Sequence, residues 1–455
     1  MTEETFVEGS DFDRAVERGD RPGTPAPAPD GLTVLDRVLP MVNMGAFILG
    51  LALAGLLTDL AELISTGIAR AVDGYGTVAP LIIFLTVAPT IAKFARMSAG
   101  SRLAAAVVGW LAGKRLASLL FAVLFTGIVF KLPFFPAHQV HPATAALDSL
   151  RLLGTMLVTS PYFWALYAAV AAGLLAQKVG PLERGLAVVA DGIEEFGKYL
   201  QFVVPVFMLT VGIYIAGLPQ QYAHGVRLDN GQVLTLRPLT TIFGTVPPTH
   251  TLIIYVVNGL LVAAVCLAAH GLHLLLTKRL APDFSPALYL RHYWVKVYPL
   301  LWSTSSESLA VPLNLGLFKR YWPHVREEVR RLVMGLGLQL NLDGTLMCVI
   351  VMTATVSVLF GLGLSTFELL MTVPMVFLIG YGVPGIPGEL ILFATPIATV
   401  LGVPSAMAAS FAGLYIALQF GLPDSFRSGH NSTDGAVVCF TVNRWSCGVR
   451  PTTGS

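Results

Sequence analysis

Long apolar runs, interrupted by short polar stretches, organise this chain. They predict spans at 39–63, 77–98, 103–132, 152–177, 197–217 and 249–277. A segment with two short apolar arms follows at 283–318, then a span at 329–362, a second short-armed segment at 365–402 and a last span at 405–442. Runs such as Met41 to Leu57 and Leu252 to Leu276 reach or approach the roughly 20 apolar residues that cross a bilayer as a helix. The pattern predicts an all-α polytopic membrane protein with eight transmembrane helices and two further helical hairpins.

Composition strengthens that reading. Only 12% of residues are charged and 55% are hydrophobic, against about 25% charged in soluble domains. Mean hydropathy is +0.71. A net charge of +2 points to no nucleic-acid partner. Cys266, Cys348, Cys439 and Cys447 lack metal-ligand spacing and read as small buried hydrophobes. Residues 1–35 are rich in Asp, Glu, Pro and Gly and read as a disordered cytoplasmic tail; no apolar core follows a basic start, so they do not read as a signal peptide.

Basic residues set the orientation. With the N-terminus inside, Lys93, Arg96, Arg102, Lys114 and Arg115 fall on the cytoplasmic side, as do Lys278, Arg279, Lys319 and Arg320. Residues 135–150 carry no Lys or Arg and read as outside. The alternation holds only if both short-armed segments enter and leave on one side. Both termini are then cytoplasmic, with 446–455 a short tail, in a multi-pass protein of the plasma (inner) membrane.

The segment 283–318 centres on Ser303-Thr304-Ser305-Ser306-Glu307-Ser308. Each arm has about a dozen residues, or about 18 Å of helix, too short to span. A polar tip at that depth must be enclosed by protein or face water, so the segment reads as a re-entrant hairpin. Its hydroxyls and free helix-start N–H groups suit an anion. The segment 365–402 repeats the plan around Gly380-Tyr381-Gly382-Val383-Pro384-Gly385-Ile386-Pro387-Gly388. The plainer reading of this second segment is a loop between ordinary spans.

Each hairpin is followed by a helix with polar marks. After the first comes Asn341-Leu342-Asp343-Gly344-Thr345. On a regular helix Asn341 and Asp343 point about 200° apart, so they share a site only where the helix is unwound. Unwound carbonyls with a carboxylate suit Na⁺; the structural alternative is a buried Asp paired with a Lys. After the second hairpin, Asp424, Arg427, Ser428 and Asn431 recur at i, i+3, i+4 and i+7 on one face. Arg427 can grip a carboxylate as a fork, and Asp424 can take an ammonium. The alternative is that Asp424 and Arg427 only neutralise one another. Hairpin, marked helix, hairpin, marked helix is the order of an inverted repeat.

These four stretches, in this order across roughly 285–440, resemble the dicarboxylate/amino acid:cation symporter family, which includes glutamate transporters. The resemblance implies two re-entrant hairpins, an elevator mechanism and a homotrimer. It makes 36–280 mainly a scaffold of six spans, with spans 3 and 6 joining a transport domain whose core is 281–445. It also implies that Arg427 binds a substrate carboxylate and Asp424 an amino group. Ser428, Asn431, Thr345, Ser305, Ser306, Gly385 and Pro387 complete the substrate site, and the Gly380–Gly388 tip is the extracellular gate. Asn341, Asp343, Asn431, backbone at Gly337 and Asp434 are implied as cation ligands, for Na⁺ or H⁺ as coupling ion with no other cofactor.

The chain departs from the family's pattern at several positions. Sodium-coupled members have an Asp where this chain has Gly435, and Asp434 lies one residue early, about 100° round the helix. Gln339 replaces a small hydroxyl residue, Leu342 a Met, and Glu389 a small residue beside the second tip. The expected function is symport of an amino acid or C4-dicarboxylate across the lipid bilayer. A channel-like or non-transporting member is a second reading. A serine hydrolase is a third, weakened because the nearest histidine, His324, lies in a basic stretch beyond the hairpin.

Overall fold

The computed structural model describes residues 34–54, 102–136, 142–223, 226–227, 233–304, 307–336, 341–382, 390–419 and 421–447, with scattered positions between 56 and 95. Of the tail expected at 1–35, Val34 and Leu35 already belong to the first helix. Residues 1–33 and most of 446–455 lie outside the described residues, as does much of the span expected at 77–98. So do Ser305, Ser306, Gly337, Gln339, Gly385, Pro387 and Glu389.

The chain is mostly helical. Its first half gives α1 (Val34–Leu53), α2 (Arg102–Val129), α3 (Pro142–Thr159), α4 (Pro161–Leu175), α5 (Gly180–Ala223) and α6 (Thr251–Leu280). The single span expected at 152–177 is interrupted between α3 and α4. Ser160 is extended there and its side chain accepts from the Tyr162 amide, while Pro161 follows inside the first turn, a start signal that overrides apolar continuity. Between α5 and α6 the polar stretch makes two small antiparallel pairs, at Val226–Arg227 with Val233–Leu234 and at Leu239–Thr241 with Gly244–Val246. Its Arg237 and Ile242 amides donate to the carbonyls of Leu359 and Val129, tying two helix ends together.

The second half begins with the short helices α7 (Val295–Thr304) and α8 (Glu307–Tyr321), which pack on each other. The span expected at 329–362 becomes helical as α9 only over Asp343–Phe360; Asn341 and Leu342 are not helical. Then come α10 (Thr366–Ile379) and α11 (Ile391–Val400), again in contact, and α12 (Ser405–Gln419) and α13 (Leu422–Cys447). Ser365 starts α10 with a capping box: its hydroxyl accepts from the Glu368 amide, and Glu368 returns a bond to the Ser365 amide. The last expected span, 405–442, is bent by 65° between α12 and α13. At the break Gly421 has φ +73°, a left-handed turn that glycine adopts without strain. A side chain there would also strike the Tyr255 hydroxyl.

α2, α6 and α9 contain segments long and apolar enough to cross a membrane, and α12 with α13 forms a bent fourth candidate. On α2, Val108, Leu116, Leu120, Leu124 and Ile128 are exposed at four- and eight-residue spacing, an apolar stripe suited to lipid. α9 is the opposite case: every residue but Val358 is buried. It is wrapped by α2, α6, α12 and α13. Polar side chains accumulate on one side of this jacket, where α2, α6, α9 and α13 meet.

Candidate functional site

α9 and α13 approach closely because of glycine. A Cβ on Gly344 would lie 2.6 Å from the Arg427 carbonyl and 2.9 Å from Asn431 Oδ1, distances no side chain tolerates. The approach lets Asn431 act across the gap. Its Oδ1 accepts from the Gly344 amide at 2.7 Å and the Thr345 amide at 3.3 Å. It thereby caps the start of α9, whose first N–H groups have no partner within the helix. Asn431 Nδ2 donates to Thr345 Oγ1 at 2.9 Å, and Arg427 Nη1 donates to the same hydroxyl at 2.7 Å.

Arg427 is buried and its Nε donates to Asp424 Oδ1 at 2.7 Å; Nη2 reaches the same oxygen. The structure thus brings together Asp424, Arg427, Asn431 and Thr345, with Ser428 buried beside them on α13. Asp424 and Arg427 are already an ion pair within one turn. The flanks of both glycine- and serine-rich tips come close. The Trp302 ring, on α7, lies 6.3 Å from Phe426, next to Arg427. Gly380, at the end of α10, packs on Leu346, next to Thr345.

A second centre sits one to two turns along α13. Lys114 on α2 places its ammonium 2.5 Å from Asn341 Oδ1, 2.9 Å from Asp343 Oδ2 and 2.6 Å from Asp434 Oδ2. A lysine has three N–H donors, and each meets one oxygen. Non-helical backbone at Asn341 lets both Asn341 and Asp343 face this point, and Asn341 Nδ2 donates to the Asn431 carbonyl at 2.8 Å. Gly435 completes the fit: a Cβ there would lie 2.7 Å from Asn341 Nδ2. Ser118, one turn after Lys114, donates to Asp343 Oδ2 at 3.1 Å.

Asp434 has further partners. His270 Nδ1 and His273 Nδ1, three residues apart on α6, lie 2.8 and 2.9 Å from its Oδ1. A carboxylate only accepts, so both nitrogens carry hydrogen. His430 Nε2 stands 3.9 Å from Asp434 Oδ2. All three imidazoles are buried, and the Nε2 atoms of His270, His273 and His430 have no hydrogen-bond partner among the described residues.

By sequence, Lys114 and Arg115 read as charges at a cytoplasmic junction. The structure buries both: Lys114 in this centre, and Arg115 stacked 3.9 Å over the Tyr381 ring. Two carboxylates from elsewhere in the chain compensate the burial of Lys114, and Arg115 lies against an aromatic face. His270, His273 and His430 are site residues that the sequence expectations do not include. Their signal was present as two histidines at i, i+3 in an apolar span and a third four residues before Asp434.

Ionisable groups enclosed between broken helices are the arrangement of a secondary transporter. The chain belongs to the sodium:dicarboxylate symporter family, whose model matches residues 41–445, nearly all of it. It is therefore an integral membrane protein of a symporter family, which suggests a small-molecule substrate and Na⁺ as coupling ion. No curated protein matches the chain.

Whether the residues present fit Na⁺ can be tested at the Lys114 centre. Asn341 Oδ1, Asp343 Oδ2 and Asp434 Oδ2 are engaged by the ammonium and Asp434 Oδ1 by two histidines, which leaves Asp343 Oδ1 as the one carboxylate oxygen of the centre without a hydrogen-bond partner among the described residues. A second unit positive charge about 3 Å away would be repelled by roughly 5 kcal/mol at an effective dielectric constant of about 20. Na⁺ does not fit this centre while Lys114 occupies it.

Proposed function

We propose that the protein is a secondary symporter that carries a small carboxylate-bearing solute, an amino acid or a C4-dicarboxylate. The observation that carries this is the buried Arg427 guanidinium, held by Thr345 and Asp424 beside the flanks of both tips. In this reading the tips at 303–308 and 380–388 close over the solute from opposite faces as re-entrant hairpins. Ser305, Ser306, Ser428, Asn431, Gly385 and Pro387 line the site. The existing Asp424–Arg427 pair favours a solute with an amine: its carboxylate replaces Asp424 on Arg427 while its ammonium takes Asp424. A dianion without an amine takes Arg427 from the buried Asp424 without replacing its positive charge, at a cost.

The transport domain is 281–445 together with α2 and α6, which supply Lys114, His270 and His273 to the centre against α13. Residues 36–280 otherwise form the scaffold, and the working form is a homotrimer in the plasma membrane, moving as an elevator. Of the two coupling ions, the centre favours H⁺. Asp434 faces Lys114, His270, His273 and His430, with Tyr289 bonded to the neighbouring Thr433 carbonyl and Arg115 near Asp343. Three Nε2 atoms in this group have no hydrogen-bond partner among the described residues.

Uptake of radiolabelled aspartate, glutamate, serine and succinate into proteoliposomes tests the reading. We expect accumulation of at least one, driven by an inward proton gradient and collapsed by a protonophore. The absence of gradient-driven uptake for all four would refute it.

A further inference from the structure

The family to which the chain belongs implies a bound alkali cation, yet the buried Asp343–Asp434 carboxylate pair already holds a cation of the chain's own. We infer that the Lys114 ammonium is a resident cation that replaces Na⁺ at the Asn341–Asp343–Asp434 centre, making this centre indifferent to Na⁺. The inference deepens the symporter reading by naming the ion its centre rejects.

Three independent features support it. The ammonium's contacts are complete: its three hydrogens meet three oxygens, one each from α9, α13 and the non-helical segment just before α9, all within 2.9 Å. The surroundings are built for it. Asp343 is also held by Ser118 from the same helix face as Lys114, and Asp434 is held from its other oxygen by His270 and His273. Each carboxylate is thereby aimed at one point. Finally, the neighbouring position that would crowd the centre carries no side chain. Gly435 lets the Asn341 amide lie against α13, and any Cβ there would push Asn341 away from Lys114. A lysine that merely neutralised a stray Asp would need one carboxylate; this one satisfies two and an amide.

The alternative for the same region is a divalent metal on His270, His430 and Asp434, whose ligand atoms lie within 4.8 Å of one another. The ammonium 2.6 Å from Asp434 Oδ2 argues against it, because the metal would have to share that carboxylate with a fixed positive charge.

The test needs no substrate, so its failure and failure of the transport reading are separable. Thermal unfolding of purified full-length protein is followed in NaCl and in choline chloride at equal ionic strength, for the wild type, Lys114→Met and Lys114→Met/Asp343→Asn. Methionine keeps an apolar stem of similar length and removes the ammonium. The inference predicts no specific Na⁺ effect in the wild type. Na⁺ should stabilise Lys114→Met, and the added Asp343→Asn should abolish that gain. Na⁺ at ten times its Kd multiplies the folded-to-unfolded ratio by about 11. A wild-type response to Na⁺ equal to that of Lys114→Met would overturn the inference, as would a folded Lys114→Met with no response. If Lys114→Met does not fold, Asp343→Asn in the otherwise native chain decides. A wild-type Na⁺ stabilisation that Asp343→Asn removes overturns the inference, and the absence of any Na⁺ stabilisation to remove supports it.

Discussion

Asn431→Ala is the most direct probe of how the two marked segments are held together. Asn431 Oδ1 serves two amides at the start of α9, and its Nδ2 serves Thr345 Oγ1. Alanine removes all three bonds inside a region with no exposed surface at Asn431, Gly344 or Thr345. The hydroxyl keeps Arg427 as a partner, so its loss is small. Both N–H groups belong to the first turn of the helix, where no carbonyl lies one turn earlier within it. Stranding one buried donor costs about 1–3 kcal/mol. The Gly344 bond at 2.7 Å carries the full cost and the 3.3 Å Thr345 bond part of it. The sum is roughly 2–4 kcal/mol, a large share of the typical 5–15 kcal/mol of a folded domain. The assay is thermal unfolding in detergent without ligand, run beside Asn431→Asp, which keeps the acceptor oxygen. We expect Asn431→Ala to melt well below the wild type and Asn431→Asp to recover most of the loss. If both variants melt alike, or if Asn431→Ala melts with the wild type, the capping account is wrong.

Three further outcomes follow from the same geometry. Arg427→Ala should abolish the thermal shift produced by any small carboxylate and destabilise the protein by about 3–5 kcal/mol, because Asp424 is left buried without its partner; Arg427→Ala/Asp424→Ala should recover part of that stability but not the shift. Gly435→Ala should cost about 1–3 kcal/mol by unfolding measurements, since its Cβ meets Asn341 Nδ2 at 2.7 Å; a neutral result would mean Asn341 is free to move. For H⁺ coupling, acidifying the outside should raise wild-type uptake, and His270→Gln/His273→Gln should flatten that dependence while leaving equilibrium exchange measurable; an unchanged pH profile would remove the histidines from the coupling path.

Much of the architecture was legible because membrane constraints are strong. Long apolar runs and the polar marks inside them each leave a local signature, and the mostly helical chain with its marked helices α9 and α13 follows from them. The unwinding at Asn341 was readable from the impossibility of aiming Asn341 and Asp343 together on a regular helix. The pairing of Asp343 with a lysine was visible as an option, but not which lysine. Lys114 is separated from Asp343 by more than two hundred positions, and its neighbours Arg115 and Arg102 made it look like one charge among several at a membrane edge. Burial of a long cation depends on partners assembled from three other elements, which no local pattern encodes. The histidines escaped for the same reason: each alone is an ordinary core imidazole, and only the meeting of α6 with α13 gives them a shared carboxylate. The breaks at Pro161 and Gly421 were written in local residues but were masked by apolar runs on either side.

The near-total enclosure of α9 has a mechanical corollary. A helix apolar enough to cross the bilayer, yet sheathed on every side but Val358, meets the lipid only through its neighbours. Its greasy side chains act as the filling of a bearing rather than as an anchor. Changes of bilayer thickness should therefore reach it only second-hand, and size rather than hydrophobicity should decide which replacements along it the protein accepts.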